Sequence, residues 1–410
     1  MPRPRKSWVV FGAACALLVS AVWVGLGTNS PETADALLTR GREALAREDL
    51  ATARTVLEQM ETLAVVDPND LALFRAQCLI AQDQIAEAIE VLAAIPDDSP
   101  MGAQIRLKQG QLELRRDHLA SAERALTRAA QLDPNLAQAH RELIFILGYQ
   151  VRRDELRARY RALAATGVLT PYDVYLWCLT RYNTWDAAEH FDDLERFVRA
   201  EPSDDWSRLA LSRAAIALNR IEDGLAILEP LDPKRPEVQL VRAQAELARG
   251  DLNQADALLA ANPPDHVESL RLRGKLALYR NDPDKAVEFY RRAVELAPED
   301  REGVIGLAQS LKAAEDPEAD RWLEAARTHE RYAHQLNQLR LPENQNDPES
   351  WRTMADLCER IGCRAEAAAW YQLLIARDPL DSKAQAALAR LQAQEESEAR
   401  SNSSPSSTAP

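Results

Sequence analysis

Residues 267–300, VESLRLRGKLALYRNDPDKAVEFYRRAVELAPED, form the clearest repeating unit in this 410-residue chain. Leu270, Gly274 and Leu278 are four residues apart, which places them on one side of a first helix. Pro283 favours the first turn of a second helix, because its missing N–H would have had no partner there. Neither helix can bury its apolar side alone, so the stretch predicts a helical hairpin that needs neighbours.

A small or modest-sized residue recurs at a nearly constant step along the chain. Where two helices cross closely, a long side chain would hold their backbones apart, so such a residue is favoured there. The successive steps are 35, 34, 34, 34, 34, 31, 31, 34 and 47 residues. The ten positions are Gly41, Ala76, Gly110, Ile144, Cys178, Ser212, Ala243, Gly274, Ala308 and Ala355. This period indicates about ten stacked hairpins.

The pattern resembles the tetratricopeptide repeat, a 34-residue helix-turn-helix unit. The best matches are residues 110–134, the unit at Gly274 and residues 351–379. Leu156 and His190 depart from the motif at the usual alanine position, and so does the second helix of the unit at Ala308. The resemblance implies an all-α fold: an α-solenoid, wound as a right-handed superhelix, whose concave face binds partner proteins.

Residues 8–27, WVVFGAACALLVSAVWVGLG, carry no charge and as a helix would span about 30 Å, the thickness of a bilayer core. Arg3, Arg5 and Lys6 precede them without any acidic residue. The positive-inside rule then keeps the N-terminus cytoplasmic and puts the repeats on the extracytoplasmic side, in the periplasm or its equivalent. The alternative is a cleaved signal peptide and a secreted protein. Both alternatives predict exported repeats.

The expected organisation follows from these patterns. Apolar residues from Ala319 to Leu339 predict one helix longer than a repeat helix. The segments are a basic cytoplasmic N-terminus (1–7), a transmembrane signal-anchor (8–27), a linker (28–33), the repeat solenoid (34–317), a long helix and linker (318–346), a final repeat with a capping helix (347–396) and a disordered tail (397–410).

No motif in the chain predicts catalysis, a cofactor or a metal, so we do not expect an enzyme. His329 and His334 are five residues apart, about 140° around a helix, and cannot share one metal ion. Cys358 and Cys363 are also five apart, so they could form a disulfide only if Gly362 ended the helix between them; the alternative is buried thiols.

The charge of the chain excludes nucleic acid as a partner. The formal net charge is −14, and the part after residue 7 has 47 basic and 64 acidic residues. Nucleic-acid binding needs a positive surface. We therefore expect protein partners or peptide segments.

Aromatic residues are concentrated between Tyr172 and Trp206, where eight of the 23 in the chain fall within 35 residues. Trp177 and Phe197 are expected in the core. By analogy with the repeat family, the residues that point into the concave groove are Leu107, Gln111, Phe145, Tyr175, Leu179, Tyr182 and Arg213. Two alternatives stay open: an enzyme without a recognisable motif, and a glycan-binding groove lined by Tyr175, Tyr182 and Trp185.

Overall fold

The computed structural model describes residues 33–62, 66–180, 187–263 and 265–403. Within these ranges the chain is all-α, as the sequence predicts, with 21 helices and no strand. The helices are α1 (Ala34–Ala46), α2 (Leu50–Thr62), α3 (Pro68–Ala81), α4 (Ile85–Ala93), α5 (Gly102–Arg115), α6 (Leu119–Leu132), α7 (Ala137–Tyr149), α8 (Arg153–Ala165), α9 (Pro171–Leu179), α10 (Ala187–Ala200), α11 (Asp205–Ala217), α12 (Ile221–Ile227), α13 (Pro236–Arg249), α14 (Leu252–Ala260), α15 (Val267–Tyr279), α16 (Pro283–Leu296), α17 (Arg301–Ala313), α18 (Ala319–Leu339), α19 (Pro348–Arg360), α20 (Arg364–Arg377) and α21 (Ser382–Ser403).

The helices belong to two compact units, divided between Gln82 and Asp83. The predicted N-terminus (1–7), the transmembrane segment (8–27) and residues 28–32 of the linker lie outside the described residues. Among the helices that are described, none has both the length and the apolarity that a bilayer crossing requires.

Several helix boundaries in the structure lie where the sequence predicts them, and the end of the last helix lies elsewhere. Thr33 caps α1 by accepting a hydrogen bond from the Ala36 N–H, and α18 covers the stretch expected to be one long helix. Helix α21 continues to Ser403, seven residues into the stretch that the sequence predicts to be a disordered tail (397–410). Alanine, glutamate and arginine in EESEAR favour helix, in agreement with this extension of α21.

The turn inside most hairpins contains one residue in the left-handed conformation, seven positions after the small residue of that unit. Glycine or asparagine suits this conformation best, and β-branched Val151 suits it worst. The residues are Glu48, Asp83, Asp117, Val151, Asn219, Gly250, Asn281, Glu315 and Gly362. The turn conformation thus keeps its register with the small residue of each unit, including the units that follow the 31- and 47-residue steps.

All ten small or modest-sized residues of the pattern are buried. A methyl group added at Gly274 would lie 2.6 Å from a ring carbon of Tyr290, and one added at Gly306 would meet the opposite edge of the same ring. Tyr290 is itself buried. Two glycines therefore leave the room that this tyrosine occupies between α15 and α17.

We expect Gly306→Ala to lower the free energy of unfolding by about 1–3 kcal/mol, because the buried Tyr290 ring must move to admit the methyl group. Gly148→Ala is the matched control, since a methyl group there meets nothing within 4 Å and alanine favours helix. Chemical denaturation of both variants measures the difference. Equal stability of the two would contradict the packing described here.

The unit that begins at Asp83 contains several apolar cores, and two of them hold the most buried residues. The central core joins α6, α7, α10 and α11, and includes Leu126, Leu143 and Leu194. The C-terminal core joins α7, α8 and α9 to α18, α19, α20 and α21, and includes Trp177, Tyr332 and Trp370. Helices from the end of the chain therefore return to pack on helices from its middle.

Helices α9 and α10 bury their apolar residues in different cores. Val174, Trp177 and Cys178 of α9 lie in the C-terminal core, whereas Phe191 and Leu194 of α10 lie in the central core. Trp177 stacks on Tyr160 of α8, with ring centroids 5.4 Å apart. The large apolar area of α9 is buried against α18 and α20.

Candidate functional site

An aromatic cleft opens where α9 meets the C-terminal helices. Tyr172 is 64% exposed, and its ring stacks on Tyr175 with centroids 6.3 Å apart. The cleft has a volume of about 250 Å³. Its lining residues are Thr170, Pro171, Tyr172, Tyr175, Leu339, Gln345, Asn346 and Trp370. We call this site the aromatic cleft.

The α9 wall of the aromatic cleft is held by a capped helix end. Thr170 and Asp173 form a capping box, in which each side chain accepts a hydrogen bond from the backbone N–H of the other residue. Asp173 also accepts two hydrogen bonds from Arg141 of α7, at 2.9 and 3.0 Å. Burial raises the pKa of Asp173, but the bonds from Arg141 and Thr170 outweigh it and lower the pKa overall. The first turn of α9, which carries Tyr172, is thus fixed.

The opposite wall is the turn before α19. Two hydrogen bonds hold the backbone of this turn. Trp351 Nε1 donates to the backbone carbonyl oxygen of Gln345 at 2.9 Å, and Arg377 Nη1 donates to the backbone carbonyl oxygen of Asn346 at 2.7 Å. The side chains of Gln345 and Asn346 are exposed. Amide groups therefore stand opposite two tyrosine rings, so the cleft offers both apolar and hydrogen-bonding contacts.

Four of the predicted groove residues that the structure describes pack against two different cores. Tyr175 and Leu179 pack on the C-terminal core, whereas Leu107 and Phe145 pack on the central core. Gln111 donates a hydrogen bond to Glu142 at 3.3 Å. The role of these residues in binding stays a prediction, and Tyr182 lies outside the described residues, as does Trp185.

The sequence prediction missed most of the aromatic cleft. Tyr172 belongs to the aromatic concentration seen in the sequence, and that signal could have found it. Leu339, Gln345 and Trp370 follow Tyr175 by more than 160 residues. No periodic pattern indicates that these distant residues meet α9. Trp177 and Phe197 are buried, which confirms the prediction for both.

Arg213, the last of the predicted groove residues, lies in a network of charges inside the protein. It donates two hydrogen bonds to Glu268 of α15, one of them at 3.2 Å. Arg271 of the same helix pairs with Asp300 and Glu302, each at 2.9 Å. Burial raises the pKa of Glu268, but Arg213, Arg271 and Arg153 outweigh it and lower the pKa to about 2. The ionised carboxylate therefore stabilises the folded state.

We expect this ionised carboxylate to make stability depend on acid pH. The folded pKa of Glu268, about 2, lies below its ordinary value of 4.5, so the stabilisation is complete above pH 4.5 and is lost as pH falls towards 2. By pH 3 the loss from this group is about 2 kcal/mol. Denaturant unfolding between pH 7 and 3 measures it. Glu268→Gln should lose less stability over this range than wild type, whereas the exposed Glu222→Gln should behave like wild type.

A second cleft of about 560 Å³ lies between α18 and α19. Arg327, Arg331 and Arg360 line it, and so do Glu330 and Asp356. Because both signs of charge face this cleft, charge alone does not select an ion for it.

The described residues contain no group of three or more His, Cys, Asp or Glu side chains placed to hold a metal ion. His329 is buried, and His334 is exposed. Burial lowers the pKa of His329 to about 4, so it is neutral at pH 7. Cys358 and Cys363 are buried thiols that are not joined by a disulfide, and Cys78 and Cys178 are buried thiols as well.

Comparisons with known proteins identify the repeat. Tetratricopeptide repeat models match residues 38–103 and 267–300. No curated protein matches the chain significantly. A solved tetratricopeptide repeat protein from Parabacteroides merdae is 13% identical, with a TM-score of 0.31, over 68% of this chain and 98% of that one.

Two further solved structures are similar at the same low level. The Cut9 and Hcn1 hetero-tetramer of the APC/C gives 11% identity and a TM-score of 0.33, over 87% of this chain and 76% of that one. Pseudomonas aeruginosa pilF gives 18% identity and a TM-score of 0.27, over 50% and 97%. Similarity at this level carries no information about function. Two segments of this all-α chain, residues 38–103 and 267–300, match models of the tetratricopeptide repeat.

Proposed function

We propose that this chain is a membrane-anchored scaffold that binds partner proteins on the extracytoplasmic side of the membrane, in envelope assembly or secretion. Residues 8–27 support the anchor, because they carry no charge over the length of a bilayer core and follow three basic residues. The repeats support the binding role, since stacked helical hairpins present extended surfaces to other proteins.

The aromatic cleft is the observation that carries the proposal. Tyr172 keeps 64% of its surface exposed beside Tyr175, and tyrosine is among the side chains that most often anchor protein interfaces. A cleft of about 250 Å³ accommodates one or two apolar side chains of a partner. Gln345 donates an amide hydrogen bond to the Arg340 carbonyl oxygen at 3.2 Å, whereas the exposed Asn346 lines the same cleft and can bond the backbone of a bound segment. We propose that the cleft binds a short extended or helical segment of a partner protein.

A sugar is the competing occupant, because stacked rings beside amide groups also suit a glycan. Photo-crosslinking in intact cells distinguishes the two. A photoreactive amino acid in place of Tyr172 should give protein adducts of defined mass, whereas the same substitution at Tyr279 should give none. Tyr279 is a fair control, since it is 54% exposed and does not line the cleft. Equal adducts at both positions, or no protein adduct at position 172, would refute the cleft assignment.

The membrane arrangement is tested separately with vesicles of both orientations. Added protease should digest the repeats in right-side-out vesicles and spare them in inverted ones. A chain that lacks residues 1–27 should leave the membrane fraction. Digestion in inverted vesicles alone would show that the repeats face the cytoplasm and would overturn this part of the proposal.

A further inference from the structure

Two buried cysteines from distant parts of the chain lie in contact. Cys178 Sγ of α9 and Cys358 Sγ of α19 are 3.8 Å apart, although 180 residues separate them in sequence. Both side chains are fully buried in the C-terminal core. Trp370 Nε1 donates a hydrogen bond to Cys178 Sγ at 3.3 Å. The two sulfur atoms therefore face each other in a defined position.

We infer that Cys178 and Cys358 form a disulfide when the protein meets an oxidant. A disulfide bond is about 2.0 Å long, so the two sulfur atoms need to approach by less than about 2 Å. Side-chain rotation near the ends of α9 and α19 can supply most of that movement. The sequence directs attention to Cys358 with Cys363 instead, but the thiol in contact with Cys358 is that of Cys178.

The oxidant is a small or protein disulfide, of the class that oxidises thiols outside the cytoplasm. One thiolate attacks this disulfide, which forms a mixed disulfide and releases one thiol. The second cysteine then displaces the other sulfur, so two protons and two electrons leave the pair. Burial raises the pKa of Cys358, so attack requires a local opening of the core or happens during folding. In cells this oxidation rests on the proposed function, because the chain meets such an oxidant only if it is exported. The reaction of the purified chain with an added oxidant does not depend on export.

The crosslink would join the two walls of the aromatic cleft. Helix α9 carries Tyr172 and Tyr175, while Gln345 and Asn346 immediately precede α19. Covalent attachment of α9 to α19 fixes the distance between these walls. Oxidation thus preorganises the cleft for its partner.

Tryptic mapping of the purified full chain in detergent tests the inference. The chain is incubated with oxidised glutathione, both folded and during refolding from guanidinium, so that burial cannot protect the thiols. Free thiols are then alkylated, and the unreduced protein is digested. Arg360 lies between Cys358 and Cys363, so trypsin places them in separate peptides, 353–360 and 361–364, and Cys178 in 162–181.

We expect peptide 353–360 to be linked to 162–181, and the link to persist in Cys363→Ala but not in Cys178→Ala. The midpoint of thermal unfolding should rise by about 5 °C on oxidation and return with dithiothreitol. A link from 353–360 to 361–364 would overturn the pairing. Complete alkylation of Cys178 and Cys358 after both treatments would overturn it too, whatever the outcome of the vesicle experiment.

Discussion

Trp177→Ala should lower the free energy of unfolding of the unit that begins at Asp83 by about 3–5 kcal/mol. Trp177 is 1% exposed and stacks on Tyr160 within the C-terminal core. Its removal leaves a cavity between α8, α9 and the helices from α18 onward, and partial collapse of that space recovers only some of the lost contacts. Denaturant unfolding measures the loss.

The same substitution should expose the thiols of this core. Undocking of α9 uncovers Cys178 and Cys358, so we expect their alkylation to become about 150- to 5000-fold faster, which is the factor that a loss of about 3–5 kcal/mol corresponds to. Leu143→Ala is the matched control, because Leu143 is buried in the central core and does not touch these cysteines. Trp177→Phe keeps most of the apolar volume and should cost less than alanine. Equal alkylation rates in the Trp177→Ala and Leu143→Ala proteins would show that α9 does not open separately.

The repeat architecture could be predicted because one physical requirement recurs every 34 residues. Gly274 is small because the Tyr290 ring fills the space beside it, and a sequence reports that requirement directly. The left-handed turn residues repeat in the same register, although only some are glycine or asparagine. Val151 carries no local signal of a left-handed conformation, so that turn follows only from its position in the repeat.

The meeting of α9 with α18, α19 and α20 could not be predicted. A periodic pattern specifies which side of a helix is buried but does not identify the helix that covers it. Cys178 occupies the small-residue position of its unit and is buried as expected, yet it is covered by Cys358 and Trp370 rather than by α10. Such contacts depend on the cumulative rotation over many repeats, and no single residue records that rotation.

The candidate site follows from this long-range contact, which explains why the family analogy found only part of it. The analogy selects positions on first helices, and Tyr175 is one of them. It assigns Arg213 to the same groove, but the structure pairs that guanidinium with Glu268. Because the Arg213 guanidinium already pairs with Glu268, it is less available to bind a partner than the exposed ring of Tyr172.

Replacing Tyr172 and Tyr175 together by alanine should weaken binding of the crosslinked partner about 100-fold, because two aromatic anchors are lost from one cleft. Tyr172 is mostly exposed, and Tyr175 lies at the edge of the C-terminal core, so the fold should survive both changes. Thermal unfolding checks this point. Tyr279→Ala, which removes one exposed tyrosine away from the cleft, should leave the dissociation constant unchanged.

The comparison is made by titrating the purified partner against each variant, in oxidised and in reduced form. If the oxidised wild type binds more tightly than the reduced one and the double variant loses that difference, the cleft is the surface that the crosslink preorganises. A double variant that folds normally and binds with wild-type affinity would place the partner elsewhere on the repeats. The rings of Tyr172 and Tyr175 would then be excluded as its anchors.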